Sequence, residues 1–168
     1  MNKIGVFYGS TTGTTEDLAR RIAEKLDVPS AHIYDVSKLT EALVGEYDVL
    51  VLGSSTWGAG ELQDDWYDGI KVLKKCDLSH KYVALFGCGD SDSYSDTFCD
   101  AIGIIYEDLK DAHCKFCGAV DTAGYTFDSS IAVVDGKFIG LPIDEVNEDN
   151  QTEERISAWA EQVKQEIS

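Results

Sequence analysis

The sequence predicts a doubly wound α/β sandwich, with five parallel strands in one sheet and helices covering both faces. Three observations carry that reading. Near-continuous apolar runs recur along the chain, as strands buried on both faces require. Helix-length stretches with apolar residues three and four apart separate those runs. Segments rich in glycine and hydroxyl residues follow several of the strands. Strands alternating with helices specify a parallel sheet. Right-handed crossovers then place ligands beyond the strands' carboxyl ends.

KIGVFY, residues 3–8, reads as the first buried strand. The helix after it aligns Leu18, Ile22 and Leu26, with Ala19 and Ala23 beside them and Thr12 as the expected N-cap. AHIYDV (31–36) is a shorter strand, and a brief helix is expected over 38–44. YDVLVLGSS (47–55) is the clearest central strand, and Trp66, Ile70 and Leu73 stripe the next helix. KYVALFGCG (81–89) is the fourth strand, followed by a helix carrying Phe98, Ile102, Ile105 and Leu109. CKFCGAV (114–120) is the fifth strand. Ile156, Trp159, Ala160, Val163 and Ile167 stripe the last helix, with Thr152 as its expected N-cap. Residues 121–151 break the rhythm: they lack a helical period, and VVDGKF reads as a hairpin turned at Asp135-Gly136. This is an insertion within or just after the fifth strand, so residues 1–168 form a single domain.

The chain has 14 basic and 31 acidic residues, a formal net charge of −17. That balance argues against nucleic acid and anionic membranes, whose binding needs lysine and arginine. It suits either plain solubility or steering toward basic partners. The start, MNKIGVFYGS, turns polar too soon for a signal peptide, and no apolar run reaches membrane-spanning length. Five cysteines in apolar settings suggest reduced thiols and a cytoplasmic location. Cys114 and Cys117 form a CxxC, open to a redox or zinc reading, but no second CxxC completes a zinc site. Small thiols on a buried strand are the plainer account, and no metal is expected.

Three segments fall where the topology expects a ligand. The first is GSTTGTTE (9–16), where Ser10, Thr11, Thr12, Thr14 and Thr15 offer hydroxyls at a helix start and Gly13 permits close backbone approach. It contains no lysine or arginine, so it reads as a neutral phosphate cradle or simply as a Thr-rich turn, and no triphosphate loop is formed. The second, STWGAGELQDDW (55–66), puts Trp57 among glycines on a surface loop, as an apolar wall for something planar or folded back on the protein. The third, GCGDSDSYSDTFCD (87–100), centres on Tyr94 as a possible second wall, with Asp90 as an acceptor for a ring N–H. A solvated acidic turn is the alternative there.

Together these three runs closely resemble the flavodoxins, and the resemblance extends along essentially the whole chain, with 121–142 and TAGYTF matching the long-chain branch. The resemblance implies a flavodoxin-like sheet in the order 2-1-3-4-5 and non-covalently bound flavin mononucleotide (FMN). Ser10, Thr11, Thr12, Gly13, Thr14 and Thr15 match the phosphate loop. Trp57 matches the inner aromatic wall, Tyr94 the outer one, and Cys99 a residue near the pyrimidine end. The stretches from Thr56 through Gly58, Ala59 and Gly60, and from Cys88 through Gly89 to Asp90, match the ring edge. The pair Gly58-Ala59 stands where a peptide is thought to turn on reduction, and Gly58 eases that turn.

What the resemblance implies is an electron carrier rather than an enzyme: a monomer shuttling between neutral semiquinone and anionic hydroquinone. It would take electrons from a flavodoxin reductase and pass them to low-potential acceptors, both docking through basic faces. Asp64, Asp65, Asp90, Asp92 and Asp96 are candidates to oppose the second electron. One carboxylate at about 12 Å costs the anion roughly 1.4 kcal/mol at an effective dielectric near 20, before salt screening. That corresponds to about 60 mV for one electron. An FMN-dependent quinone reductase shares the fold, whereas a receiver domain would need acidic residues where Ser10-Thr11 and Gly53-Ser54-Ser55 stand.

Overall fold

In a computed structural model of the chain, residues 2–57 and 60–168 are described. The apolar runs become β1 (Ile4–Gly9), β2 (Ile33–Asp35), β3 (Val49–Trp57) and, after the two-residue β4 (Glu61–Leu62), β5 (Tyr82–Cys88). The intervening helices are α1 (Thr14–Lys25), α2 (Glu41–Gly45), α3 (Asp65–Lys74) and α4 (Asp100–Leu109). Parallel pairing runs β2-β1-β3-β5, in agreement with the expected order.

Alternation along each strand divides the core into two layers. Phe7, Leu50, Leu52, Val83 and Leu85 face α3 and α4, where Trp66, Leu73, Ile102 and Ile105 close the layer. Val6, Tyr8, Val49, Val51, Ala84 and Phe86 face α1 and α5 (Thr152–Glu166), packing on Leu18, Ile22, Ile156 and Trp159. A polar tie fastens the first layer: the buried Trp66 Nε1 donates to the Gly53 carbonyl at 2.7 Å.

The fifth position in the sheet is split. The expected strand 114–120 contributes only β6 (Lys115–Cys117), which pairs with Tyr82–Ala84 of β5. At Gly118 the chain leaves the sheet with φ +82, and the Trp159 indole occupies the space a Cβ would need. Trp159 Nε1 also donates to the Gly118 carbonyl, at 2.8 Å. Pairing resumes at β10 (Leu141–Ile143), alongside Phe86–Cys88. In sequence, LPI belongs to the stretch without helical period, and its Pro142 sits on an edge strand, where it costs no ladder bond.

Residues 118–140 therefore lie inside the fifth strand. They form an antiparallel sheet of β7 (Val120–Asp121), β8 (Val133–Val134) and β9 (Lys137–Phe138). The hairpin turn falls on Asp135 and Gly136, both with positive φ as a type I′ turn requires. Phe138 is fully buried against Phe98, Tyr125 and Phe127. Arg155 lies over the Tyr125 ring at 3.9 Å and ties the insertion to α5.

Both expected N-caps are displaced. Gly13 precedes α1 in a left-handed conformation (φ +93) with no side-chain cap, and the Ser10 hydroxyl instead accepts from Gly13 N. Thr152 is the first residue of α5, and its buried hydroxyl donates to Glu145. Thr40 does cap α2, accepting from Leu43 N.

Replacing Trp66 with Phe removes the one donor to Gly53 from that helix while keeping an aromatic ring. We expect Trp66→Phe to lower unfolding free energy by about 2 kcal/mol in urea titration. An unchanged midpoint would mean that the tie contributes nothing net.

Candidate functional site

The carboxyl ends of β1, β3 and β5 open into one cavity of about 380 Å³. Of the residues singled out in the sequence, Thr12, Thr14, Thr56, Trp57, Cys88, Gly89, Asp90, Tyr94 and Cys99 line it. Trp57 and Tyr94 remain 40% and 47% exposed, so neither ring is folded into the core. Trp57 is steadied by its indole N–H, which donates to Ser55 Oγ at 2.8 Å. Such exposed rings give a cavity flat apolar surfaces that a planar ligand can cover.

At the cavity's other end stands the start of α1. Its first helical bond runs from Asp17 N to the Gly13 carbonyl, leaving the N–H groups of Thr14, Thr15 and Glu16 without helical partners. The helix dipole adds positive potential there. Neighbouring cations are engaged elsewhere: Arg20 pairs with Glu16, and Arg21 with Glu145, Glu153 and Asp17. An anion at this end meets hydroxyls and backbone donors instead of a guanidinium.

Several expected contacts serve the loops from behind. Thr15 is buried, with its hydroxyl 3.3 Å from Cys88 Sγ. The Thr11 hydroxyl accepts from Gln63 Nε2, and the Thr56 hydroxyl accepts from Ala101 N. Asp90 does not offer its Oδ1 freely to a ring N–H. That oxygen already accepts from Asp92 N, Ser93 N and Asn147 Nδ2, because the loop closes an Asx turn on it. Gly60 has φ +96 and donates its N–H to the Trp57 carbonyl. Gly58 and Ala59 lie outside the described residues.

Other site residues were not anticipated from the sequence. Ser55, Thr97, Glu145 and Val146 complete the cavity wall. Among the described residues, Thr97 Oγ1 is the buried side-chain oxygen with no hydrogen-bond partner. Asp144, fully buried, accepts from Ser91 N and Oγ, Val146 N, and Asn147 N and Nδ2. The signal for 144–147 is its place directly after a strand's carboxyl end, which shows only once the three-residue β10 is recognised as a strand. The CxxC thiols are free, and burial pushes Cys114 up and Cys117 up to about 12, the opposite of an activated thiolate.

The family model described as Flavodoxin matches residues 6–159, nearly the whole chain. The chain belongs to the flavodoxin family. It is 43% identical to a flavodoxin of Buchnera aphidicola, over 97% of this chain and 96% of that protein. To flavodoxin 1 of Azotobacter vinelandii it is 40% identical, covering 99% and 98% of the two chains. The solved structure of Fusobacterium nucleatum flavodoxin bound to flavin mononucleotide superposes with a TM-score of 0.89 at 30% identity, covering 99% of each chain. Among the described residues of this flavodoxin-family chain, no helix is long and apolar enough to cross a membrane.

Charge behind this flavodoxin site is held by hydrogen bonds. Burial pushes the Asp144 carboxyl upward, but the donors of Ser91 and Asn147 outweigh it and hold the group below its ordinary value. The Ser93 N–H and Asn147 amide hold Asp90 low in the same way. A carboxylate with a depressed folded pKa contributes stability above its unfolded value, near 3.9, and loses it as pH falls through the folded value. Asp144→Asn should therefore lower the urea midpoint at pH 7 and shrink its fall between pH 7 and pH 3. An unaltered pH slope would contradict this placement of charge.

Proposed function

We propose that this chain binds FMN non-covalently and serves as a low-potential one-electron carrier, with no substrate-turnover chemistry of its own. The observation that carries this reading is one cavity joining two exposed aromatic faces to an uncapped helix start. A planar ring ending in a phosphate tether matches both ends. Two features of the chain fit the group: Thr97 Oγ1 has no protein partner in the cavity wall, and the N–H groups opening α1 have no side-chain cap.

Thr12, Thr14 and the backbone opening α1 would hold the phosphate, while Ser10, Thr11 and Thr15 stiffen the loop through Gly13, Gln63 and Cys88. Trp57 and Tyr94 would flank the ring. Cys88, Gly89, Asp90 and Cys99 would border its edge, with Thr56 beside Trp57, and we assign Gly58, Ala59 and Gly60 to the same edge from the sequence. When bound, the flavin supplies stepwise one-electron chemistry between its singly and doubly reduced forms. The carboxylates around the cavity disfavour added negative charge there, which suits a strong reductant.

The net charge of −17 supports docking to basic-faced partners, a reductase as donor and low-potential enzymes as acceptors. Free cysteines suit a reducing cytoplasm, and we read the chain as a monomeric carrier.

The visible spectrum of the purified protein during stepwise reduction tests this reading. Flavin absorbance should appear, with a long-wavelength band that rises with the first electron and falls with the second. A colourless protein that takes up no added FMN would refute it, and steady NAD(P)H consumption by the protein alone would favour a quinone reductase. Thr97→Val should leave the FMN-free protein's stability unchanged and weaken FMN about 3- to 10-fold, the loss of one hydrogen bond. Equal affinity, measured by flavin fluorescence quenching, would remove Thr97 from the site.

A further inference from the structure

Tyr94 sits on a stretch, 89–99, that is polar and lacks regular structure, so its rigidity must come from what it touches. Within the stretch, Tyr94 N donates to the Asp90 carbonyl and Thr97 N to the Tyr94 carbonyl, which forms local turns but no framework.

The inserted segment grips one side. Asp128 N and Ser129 N both donate to the Ser95 carbonyl, at 2.7 and 3.0 Å. Ser95 Oγ donates to Asp128 Oδ2 at 2.8 Å, and Ser129 Oγ donates to the Asp96 carbonyl at 2.7 Å. Phe98 N donates to the Ser129 carbonyl, and Ile131 N donates to the buried Asp100 carboxylate at 2.9 Å. The segment is itself anchored, because Phe127, just before Asp128, stacks on Phe98 at 5.7 Å and meets Phe138 at 5.1 Å. On the other side Asp144 holds Ser91, Asn147 reaches Asp90, and Gly89 N donates to the Ile143 carbonyl.

We propose that the insertion in the fifth strand is a strap, with Asp128 and Ser129 as positioning residues that set where Tyr94 stands beside the cavity. The turn after β10 holds the loop at residues 89–91 and the strap holds it at residues 95–100, so Tyr94 lies between the two grips along the chain. An aromatic wall fixed before binding spares the ligand the entropy of ordering the loop. The role in ligand binding rests on the FMN reading above, whereas the grip on the loop does not.

Asp128 and Ser129 are exposed, so replacing both with Ala removes two side-chain hydrogen bonds without opening the core. Hydrogen exchange on the FMN-free protein tests the grip alone: the Tyr94 and Thr97 amides should exchange at least several-fold faster in the double variant, with the β1 and β3 amides unchanged. A cycle with Tyr94→Ala tests the consequence. The double variant should raise the FMN dissociation rate about fivefold when Tyr94 is present and less than twofold when it is absent. Unaltered exchange at 94–97, or an equal rate increase in both backgrounds, would overturn the proposal. Wild-type protein that binds no FMN would refute the functional reading and the strap's role in binding, while the exchange result would still decide whether the strap fixes the loop.

Discussion

The left-handed turn at Gly13 is the constraint on which the site depends. It delivers the chain from β1 into α1 without a side-chain cap, so the first N–H groups of the helix remain available at the sheet's carboxyl edge. A hydroxyl in the capping position would compete for those donors. Ser10 accepts instead from Gly13 N, one step earlier, which shapes the turn and leaves the helix start open. Arg20 and Arg21, nearly two turns further on, are paired with carboxylates. An anion is left to a neutral cradle within a strongly acidic chain.

The aromatic side of the cavity faces a different problem. Exposed rings on irregular loops lose their orientation unless neighbouring elements supply it. Trp57 is supplied by its own strand, through Ser55 Oγ and through the Gly60 N–H that donates to its carbonyl. Tyr94 has no strand of its own. Its loop borrows order from the two segments made by splitting the fifth strand, the insertion and the turn that begins at Asp144. Splitting the strand thus places two loop-holding segments beside the third ligand-facing loop.

Much of this was legible in the sequence where one physical signal dominated. The runs that became β1, β3 and β5 are apolar on both faces, and the stripes Leu18-Ile22 and Ile156-Trp159-Val163 have one packing solution each. Trp57 and Tyr94 stood out because large aromatics in glycine- and serine-rich loops have no core to join. What escaped notice depends on partners distant in sequence. β10 is only three residues long, and among the described residues it pairs with β5 alone, more than fifty residues earlier. Asp144 looks like any other carboxylate among 31 acidic residues until Ser91 is seen to face it. Thr12 and Thr152 had the right residue type for caps but the wrong backbone conformation beside them.

A neutral cradle makes a distinctive demand on binding thermodynamics. The most direct measurement is calorimetric titration of the FMN-free protein with FMN and with riboflavin, from low ionic strength to about 0.15 M salt. FMN should bind far more tightly than riboflavin, and its affinity should hold or rise with salt as repulsion from the acidic chain is screened. Equal affinity for the two ligands, or FMN affinity that falls steeply as salt rises, would contradict a phosphate held by hydroxyls and helix N–H groups alone.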